Sequence, residues 1–153
     1  PDDYTYTFGT HVAVVEVDPG SGEIEFRRYV AVDDCGTQFN PMIVKGQIMG
    51  GVAQGIGQAL YEHARYDENG TLTSGSLQDY ALPKASHVPE MELDETETPS
   101  PHNPTGAKGT GEGGAIVAPA AVVNAVMDAL RPLGVDRLEM PITDETVWQA
   151  VQD

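Results

Sequence analysis

The sequence predicts an α+β fold of mostly antiparallel strands with three helices, and three observations favour it. Alternating apolar residues near the N-terminus predict a β-hairpin. Two long segments, 42–64 and 115–130, place apolar residues at helical spacing, and residues 143–151 predict a shorter third helix. With 153 residues, 40% of them hydrophobic, the chain is about one domain long and can bury a core.

The hairpin and the loop after it come first along the chain. Residues 11–18 alternate and are rich in valine, which favours a strand. The sequence PGSGE at 19–23 predicts a turn, and residues 24–32 predict the returning strand. DDCGTQFNP at 33–41 predicts a loop, and Pro41 suits the first turn of the helix that follows.

The middle of the chain predicts turns and one edge strand. Asn69-Gly70, within residues 65–73, is a strong signal for a two-residue hairpin turn. Residues 91–100 alternate apolar and acidic side chains, which predicts an edge strand whose acids face water.

Towards the C-terminus the pattern changes from loop to helix. Proline and glycine recur through residues 101–114 and predict a loop, and the helix after it is expected to begin near Pro119. Residues 137–142 predict a short strand. Thr143 is expected to cap the last helix.

Composition limits the possible functions. A formal charge of −16 argues against binding to nucleic acid or to an anionic membrane surface. Two interpretations of this charge stay open: a salt-adapted acidic surface, or an acidic protein whose basic partners are other chains. The first ten residues lack the pattern of a signal peptide, and no uninterrupted run of 18 apolar residues predicts a transmembrane helix. Cys35 is the single cysteine, which favours a reducing, cytoplasmic compartment.

The predicted helix at 42–64 is unusually rich in glycine. Each of its five glycines costs roughly 1 kcal/mol relative to alanine, so close approach of something else is expected to offset the loss. Two interpretations remain: helix packing through Gly-x-x-x-Gly pairs, or approach of a planar ligand to the glutamine amides. On a helical wheel the glycines flank one stripe of amides, composed of Gln47, Gln54 and Gln58.

The loop TGAKGTGEGG, residues 105–114, precedes the second long helix. Its glycines allow the backbone to approach a ligand closely, and the helix start exposes N–H groups. Lys108 is not followed by Ser or Thr as in a nucleotide-phosphate loop. Glu112 is either a helix-start carboxylate or a general base held in a dehydrated pocket.

Several separated motifs also occur together, in order, along nearly the whole chain. They are YTFGTHVAVVEVDPGSGEIEFRRYVAVDDCGTQFNP, GQIMGGVAQGIGQALYE, LQDYALP, GAKGTGEGGAIVAPAAVVNAV and ITDETVWQAV. Through them the chain resembles the C-terminal part of the molybdenum-binding large subunit of the xanthine oxidase family. DDCG, GAKGTGE and PSPHNP are most similar to the aerobic carbon monoxide dehydrogenase branch. The resemblance implies that residues 1–153 are the C-terminal part of a molybdenum-pterin-binding domain in a molybdenum hydroxylase.

The resemblance also implies roles for individual residues. Glu112 matches the active-site glutamate, a general base, and Gln47 matches a glutamine that hydrogen-bonds the pterin. The implied cofactor is molybdenum-molybdopterin cytosine dinucleotide, whose dithiolene holds the metal, so no residue here is expected to be a metal ligand. The other implied cofactor-site residues are Asp33, Asp34, Cys35 and Gly36 in the loop near the pterin dinucleotide, with Lys108, Gly109 and Gly111 shaping the glutamate loop.

The resemblance covers only part of a large subunit. Family large subunits are several times longer, and the cysteine loop that holds copper in true carbon monoxide dehydrogenases is not in this sequence. The chain is therefore expected to be inactive alone and to need the remainder of the large subunit, an iron–sulfur small subunit, an FAD medium subunit and a small-molecule substrate. The alternative is a non-catalytic module that holds the cofactor or assists subunit assembly. Gly113-Gly114 follows the glutamate where better-known eukaryotic members have Pro-Pro, so the substrate stays open.

Overall fold

The computed structural model describes residues 5–152. The interpretation of the first ten residues therefore falls partly on residues 1–4, outside the described part. The predicted α+β class with three helices is confirmed. In chain order the elements are β1 (Phe8–Val17), β2 (Ile24–Asp34), α1 (Pro41–Leu60), β3 (Met91–Thr96), α2 (Gly113–Leu130) and α3 (Asp144–Gln152), with short 3-10 turns at Ala85–His87 and Arg131–Leu133.

The three strands form one mixed sheet in the order β1-β2-β3. β1 and β2 are the predicted antiparallel hairpin, whereas β3 runs parallel to β2, with Tyr29 opposite Met91. The parallel pairing follows from the long connection through α1, which returns the chain to the starting end of β2. β3 lies at the edge of the sheet, as predicted, and its acidic side chains are exposed.

The core lies between the two long helices and the sheet. α2 packs against both α1 and β1. By length and composition alone, Gly113–Leu133 could also cross a membrane, which the sequence did not suggest because Asn124 and Asp128 interrupt its apolar run. The buried side chains of this segment belong to the core of the domain. The core consists of Tyr29, Ala31, Ile48, Val52, Ile56, Ala59, Leu60, Ala118, Val122, Val126, Leu130, Val135, Ile142 and Val147.

The helix starts follow capping chemistry. The Asn40 side chain accepts hydrogen bonds from the backbone N–H groups of Met42 and Ile43, and Pro41 is the first residue of α1, as predicted. The Thr143 hydroxyl accepts from Thr146 N at 3.2 Å, so the predicted cap of α3 is also present. α2 begins at Gly113, earlier than predicted, and it contains Pro119.

Three local predictions need correction. Residues 137–142 do not form a strand; instead the Ile142 N–H donates to the carbonyl of Ala59 at the end of α1. Asp33 and Asp34 are the last residues of β2, not a loop, because both neighbouring strands extend far enough to pair with them. Residues 65–73 form a turn closed by one isolated bridge between Tyr66 and Leu72, without two strands.

Candidate functional site

The glycine-rich loop before α2 lies against the residues that follow β2. Ala107 forms an isolated antiparallel bridge with Gly36, and the Lys108 N–H donates to the Cys35 carbonyl at 2.8 Å. Gly36 has a φ of +65°, and a Cβ there would collide with the carbonyl oxygen of Gly106. Glycine is therefore required at position 36, because both the backbone conformation and the close approach exclude a side chain.

A buried ion pair fixes this contact. Lys108 Nζ lies 2.9 Å from Asp34 Oδ1, and the two side chains are 8% and 0% exposed. Asp34 also accepts hydrogen bonds from the Gly36 N–H and the Thr96 hydroxyl, each at 3.0 Å. Burial alone would raise the pKa of Asp34, but the hydrogen bonds from Lys108, Gly36, Thr98 and Thr96 outweigh burial and hold that pKa well below its ordinary value. Asp34 is therefore an ionised, fully engaged structural carboxylate.

Asp33 belongs to a second buried polar group that the sequence analysis missed. His11 Nε2 lies 3.1 Å from Asp33 Oδ2, and His11 Nδ1 lies 2.9 Å from the Tyr29 hydroxyl. Burial and the charge of Asp33 raise the pKa of Tyr29, so its hydroxyl keeps its proton. A signal existed in the sequence: His11 shares the inward face of β1 with apolar residues, and a polar residue there needs a buried partner.

Cys35 fits its interpretation as a loop residue. Burial raises the pKa of its thiol, and the neighbouring Asp34 carboxylate raises it further, so the thiol stays protonated near neutral pH. Within residues 5–152, no group of three or more His, Cys, Asp or Glu side chains is arranged to hold a metal ion.

Glu112 and Gln47 lie on the exposed side of the loop. Glu112 immediately precedes α2, its side chain is exposed, and it makes no hydrogen bond that caps the helix. The Gln47 side chain is exposed on α1, and its Nε2 atom lies 3.8 Å from the position that a Cβ at Gly111 would take. A Cβ at Gly109 would meet no atom within 4 Å. Open backbone at Gly109 and Gly111, the Gln47 amide and the Glu112 carboxylate are therefore all exposed in or beside this loop.

A cleft of about 240 Å³ separates the loop from the start of α1. Two side-chain oxygens in its walls, Gln38 Oε1 and Thr110 Oγ1, are buried and lack a hydrogen-bond partner, and no other such atom occurs in the described part of the chain. Neither oxygen could be predicted from the sequence, because burial of a single polar atom depends on tertiary contacts. The lining residues are Cys35, Thr37, Gln38, Phe39, Asn40, Ile43, Val44, Ala107, Lys108 and Thr110.

Four of the five glycines of α1 divide into two sets; at the fifth, Gly57, a Cβ would instead meet the side chain of Glu62. A Cβ at Gly51 would lie 2.7 Å from Ala115 N, and one at Gly55 would lie 2.5 Å from Ala118 Cβ, so these two glycines allow α1 and α2 to pack closely. Helix packing is thus the correct interpretation for Gly51 and Gly55. Gly46 and Gly50 differ, because a Cβ at either would meet nothing within 4 Å. Gln47, Gln54 and Gln58 are all exposed.

The structure thus gathers the predicted site residues into two neighbouring groups. One group is largely buried and bonds within itself or to neighbouring residues such as His11; it contains Asp33, Asp34, Cys35, Gly36 and Lys108. The other lies at the surface; it contains Gln47, Gly109, Gly111 and Glu112.

Comparison with known proteins identifies the family. Residues 1–89 match the model of the molybdopterin cofactor-binding domain. The chain belongs to this family. The resemblance to molybdenum hydroxylase large subunits is therefore confirmed, and this piece is a molybdopterin-binding domain segment.

Curated relatives extend the match to the whole chain. The carbon monoxide dehydrogenase large chain of Hydrogenophaga pseudoflava is 42% identical over 153 residues, which is 100% of this chain and 19% of that protein. The nicotine 6-hydroxylase large subunit of Paenarthrobacter nicotinovorans is 46% identical over 147 residues, 96% of this chain and 18% of that subunit. The chain therefore spans about a fifth of the length of these relatives.

Solved structures agree in fold. The Cu,Mo-CO dehydrogenase in its carbon monoxide reduced state superposes with a TM-score of 0.95 at 39% identity, covering 99% of this chain and 19% of the other. Quinoline 2-oxidoreductase from Pseudomonas putida 86 gives a TM-score of 0.95 at 46% identity, covering 100% and 20%. Both similarities support a molybdopterin-binding domain fold for residues 5–152.

Proposed function

We propose that this chain supplies the general base and one wall of the cofactor cleft in the large subunit of a molybdenum-dependent oxidoreductase. One observation carries the proposal: the exposed Glu112 carboxylate follows directly after Gly111, which lies beside the Gln47 amide. The loop that holds Glu112 is fixed from behind by the buried Asp34–Lys108 pair. A reactive carboxylate needs this combination of a fixed backbone and a free side chain.

The surface group fits a planar, hydrogen-bonding cofactor. The Gln47 amide can donate and accept at the edge of a heterocycle, and the open backbone at Gly109 and Gly111 leaves room for close approach. Asp33, Asp34, Cys35, Gly36 and Lys108 already bond to one another or to neighbouring residues, so we assign them the positioning of the loop.

Membership of this family supports proposals about the cofactor and the partners. When bound, molybdenum-molybdopterin supplies the two-electron redox chemistry, and we propose the cytosine dinucleotide form. We further propose that the remainder of the large subunit encloses Glu112, and that iron–sulfur and FAD subunits receive the electrons. The isolated chain is then inactive, because it holds only one side of the cleft.

The substrate is a small molecule. The similar proteins are named for carbon monoxide, nicotine and quinoline. Glu112 can accept a proton from the attacking oxygen with any of these substrate classes, since a general base acts on the nucleophile and not on the substrate.

The experiment is Glu112→Gln in the complete enzyme. Glutamine keeps the size of the side chain but cannot accept the proton, so we expect turnover to fall by at least about 100-fold. Molybdenum content and thermal unfolding should stay at wild-type values. Glu145→Gln is the matched control, because Glu145 is an exposed acid in the first turn of α3.

Wild-type turnover in Glu112→Gln would remove the base assignment. It would favour the alternative, a module that holds the cofactor or assists assembly without taking part in the reaction. Loss of molybdenum together with activity would equally contradict a purely catalytic role.

A further inference from the structure

An apolar surface surrounds the start of α1, and we call it the α1 entry surface. Four large side chains on it are exposed: Phe39 at 75%, Met42 at 77%, Ile43 at 60% and Met49 at 47%. Buried apolar residues of the same helix, such as Val52 and Ile56, are 0% exposed. At 100° per residue, positions 42, 43, 46, 49 and 50 fall within about 120° of one another, so they form one continuous face.

The glycines of this face have no partner within the described chain. Gly46 and Gly50 lie in the helix interior with open space where a Cβ would be. Each weakens an exposed helix relative to alanine. Gly51 and Gly55 weaken the helix in the same way, but they allow α2 to pack closely against α1. We therefore expect another part of the protein to pack over Gly46 and Gly50.

Two unsatisfied oxygens mark the adjoining cleft. Ile43 lies on both the α1 entry surface and the cleft wall, which joins the two features. Gln38 Oε1 and Thr110 Oγ1 are buried there without a partner. Leaving such an atom unpaired destabilises the protein, because the atom loses its hydrogen bond to water and gains no partner. If an occupant brings N–H groups into the cleft, both side chains can turn towards it and accept the hydrogen bonds that they lack.

The charges of the cleft exclude an anionic occupant. Its single ammonium group, on Lys108, is already bound to Asp34 at 2.9 Å and nearly buried. The Oδ1 atom of Asn40 is occupied as the cap of α1, and the Asn40 side chain carries no charge. Phosphate groups of a nucleotide would therefore find no free cation among these residues, whereas an apolar side chain flanked by backbone N–H groups would match the walls.

We propose that the α1 entry surface and its cleft receive a polypeptide segment from the part of the large subunit that this chain does not cover. The segment places an apolar side chain between Phe39 and Ile43 and donates N–H groups to Gln38 and Thr110. Relatives are about five times longer than this chain, so they contain the required additional segments. This inference rests on the proposed function only in taking the chain as part of a large subunit.

The test is photo-crosslinking in the assembled enzyme. Phe39 is replaced by p-benzoylphenylalanine, and Tyr66, which is 65% exposed in the distant 65–73 turn, is replaced in the matched control. We expect Phe39 to crosslink to a peptide of the same subunit outside these 153 residues, and Tyr66 not to crosslink to that peptide. A crosslink from Phe39 to the nucleotide cofactor or to another subunit, or no crosslink, would overturn the proposal.

A second measurement examines the energetics. Ile43→Asp should reduce the yield of assembled enzyme about 10-fold or more, because burial of the isoleucine side chain favours docking and burial of a carboxylate opposes it. Leu72→Asp, at a similarly exposed site in the distant turn, should leave the yield unchanged. Equal yields for both variants would contradict the proposed docking. Neither measurement depends on turnover, so failure here is separable from failure of the Glu112 assignment.

Discussion

The two ends of the loop from Lys108 to Glu112 have opposite environments. Lys108 is buried, paired with Asp34 and placed 4.6 Å above the Phe8 ring. Four residues later, Glu112 is exposed and makes no capping hydrogen bond to the helix it precedes. The loop is thus fixed at one end and chemically available at the other.

Because of this difference, Lys108 and Glu112 are expected to have different roles: Lys108 stabilises the fold, whereas Glu112 is available for the reaction. A side chain that already has several buried partners, as Lys108 and Asp34 do, adds to the free energy of unfolding. A side chain without such partners can be removed with little effect on folding, so any effect of its removal on turnover reports on catalysis. Two substitutions and one acid titration examine this contrast.

The largest effect on stability is expected for Lys108→Met. Removing the ammonium leaves Asp34 as a buried charge without its counter-ion, which costs about 3–5 kcal/mol. Denaturant unfolding of the large subunit measures the loss. Lys45→Met, at an exposed lysine on α1, should change the free energy of unfolding by less than about 0.5 kcal/mol. Equal effects at the two lysines would show that the buried pair does not anchor the loop.

An acid titration of stability tests whether the ionised Asp34 carboxylate is what makes Lys108 important for folding. The pKa of Asp34 is lower in the folded than in the unfolded protein, so its stabilising effect is complete above the ordinary value of 3.8. This stabilisation is lost as the pH falls below that value towards the folded-state pKa. The difference in unfolding free energy between wild type and Lys108→Met should therefore shrink as the pH falls below 3.8. A constant difference would contradict an ionised Asp34.

The smallest effect is expected for Glu112→Ala. Because the Glu112 side chain is exposed and makes no cap, its removal should change the free energy of unfolding by less than about 0.5 kcal/mol. Differential scanning calorimetry of wild type and variant provides the measurement. A loss of 1 kcal/mol or more, typical of a lost cap, would restore the interpretation of Glu112 as a helix-start carboxylate.

Local patterns predicted most of the fold because they are properties of short segments. The valines of β1, the Asn40–Pro41 start of α1 and the Thr143 cap of α3 each depend on residues within one or two turns. The prediction of a strand at 137–142 was wrong because it also used only a local pattern. A strand needs a neighbouring strand to pair with, and the backbone of Ile142 instead bonds to the end of α1.

The candidate site was predictable only in part. The glycine-rich loop and Glu112 stand out in the sequence because unusual composition is visible without a structure. The pairing of Asp34 with Lys108 was not visible, because periodicity shows which face a residue occupies and not which distant residue it meets. Asp33 with His11, and the unsatisfied Gln38 and Thr110, were missed for the same reason.

The wide sequence separation of the contacts around Asp34 has a consequence for folding kinetics. Lys108 and Asp34 are 74 positions apart, and Thr96 and Asp34 are 62 apart. Contacts of this range form only after the intervening chain has been organised, because closing long loops costs entropy before any contact is gained. During synthesis Asp34 leaves the ribosome well before its cation, and until then the nearby Gly36 N–H is its local donor. The loop that carries Glu112 should therefore be among the last parts of this domain to become ordered.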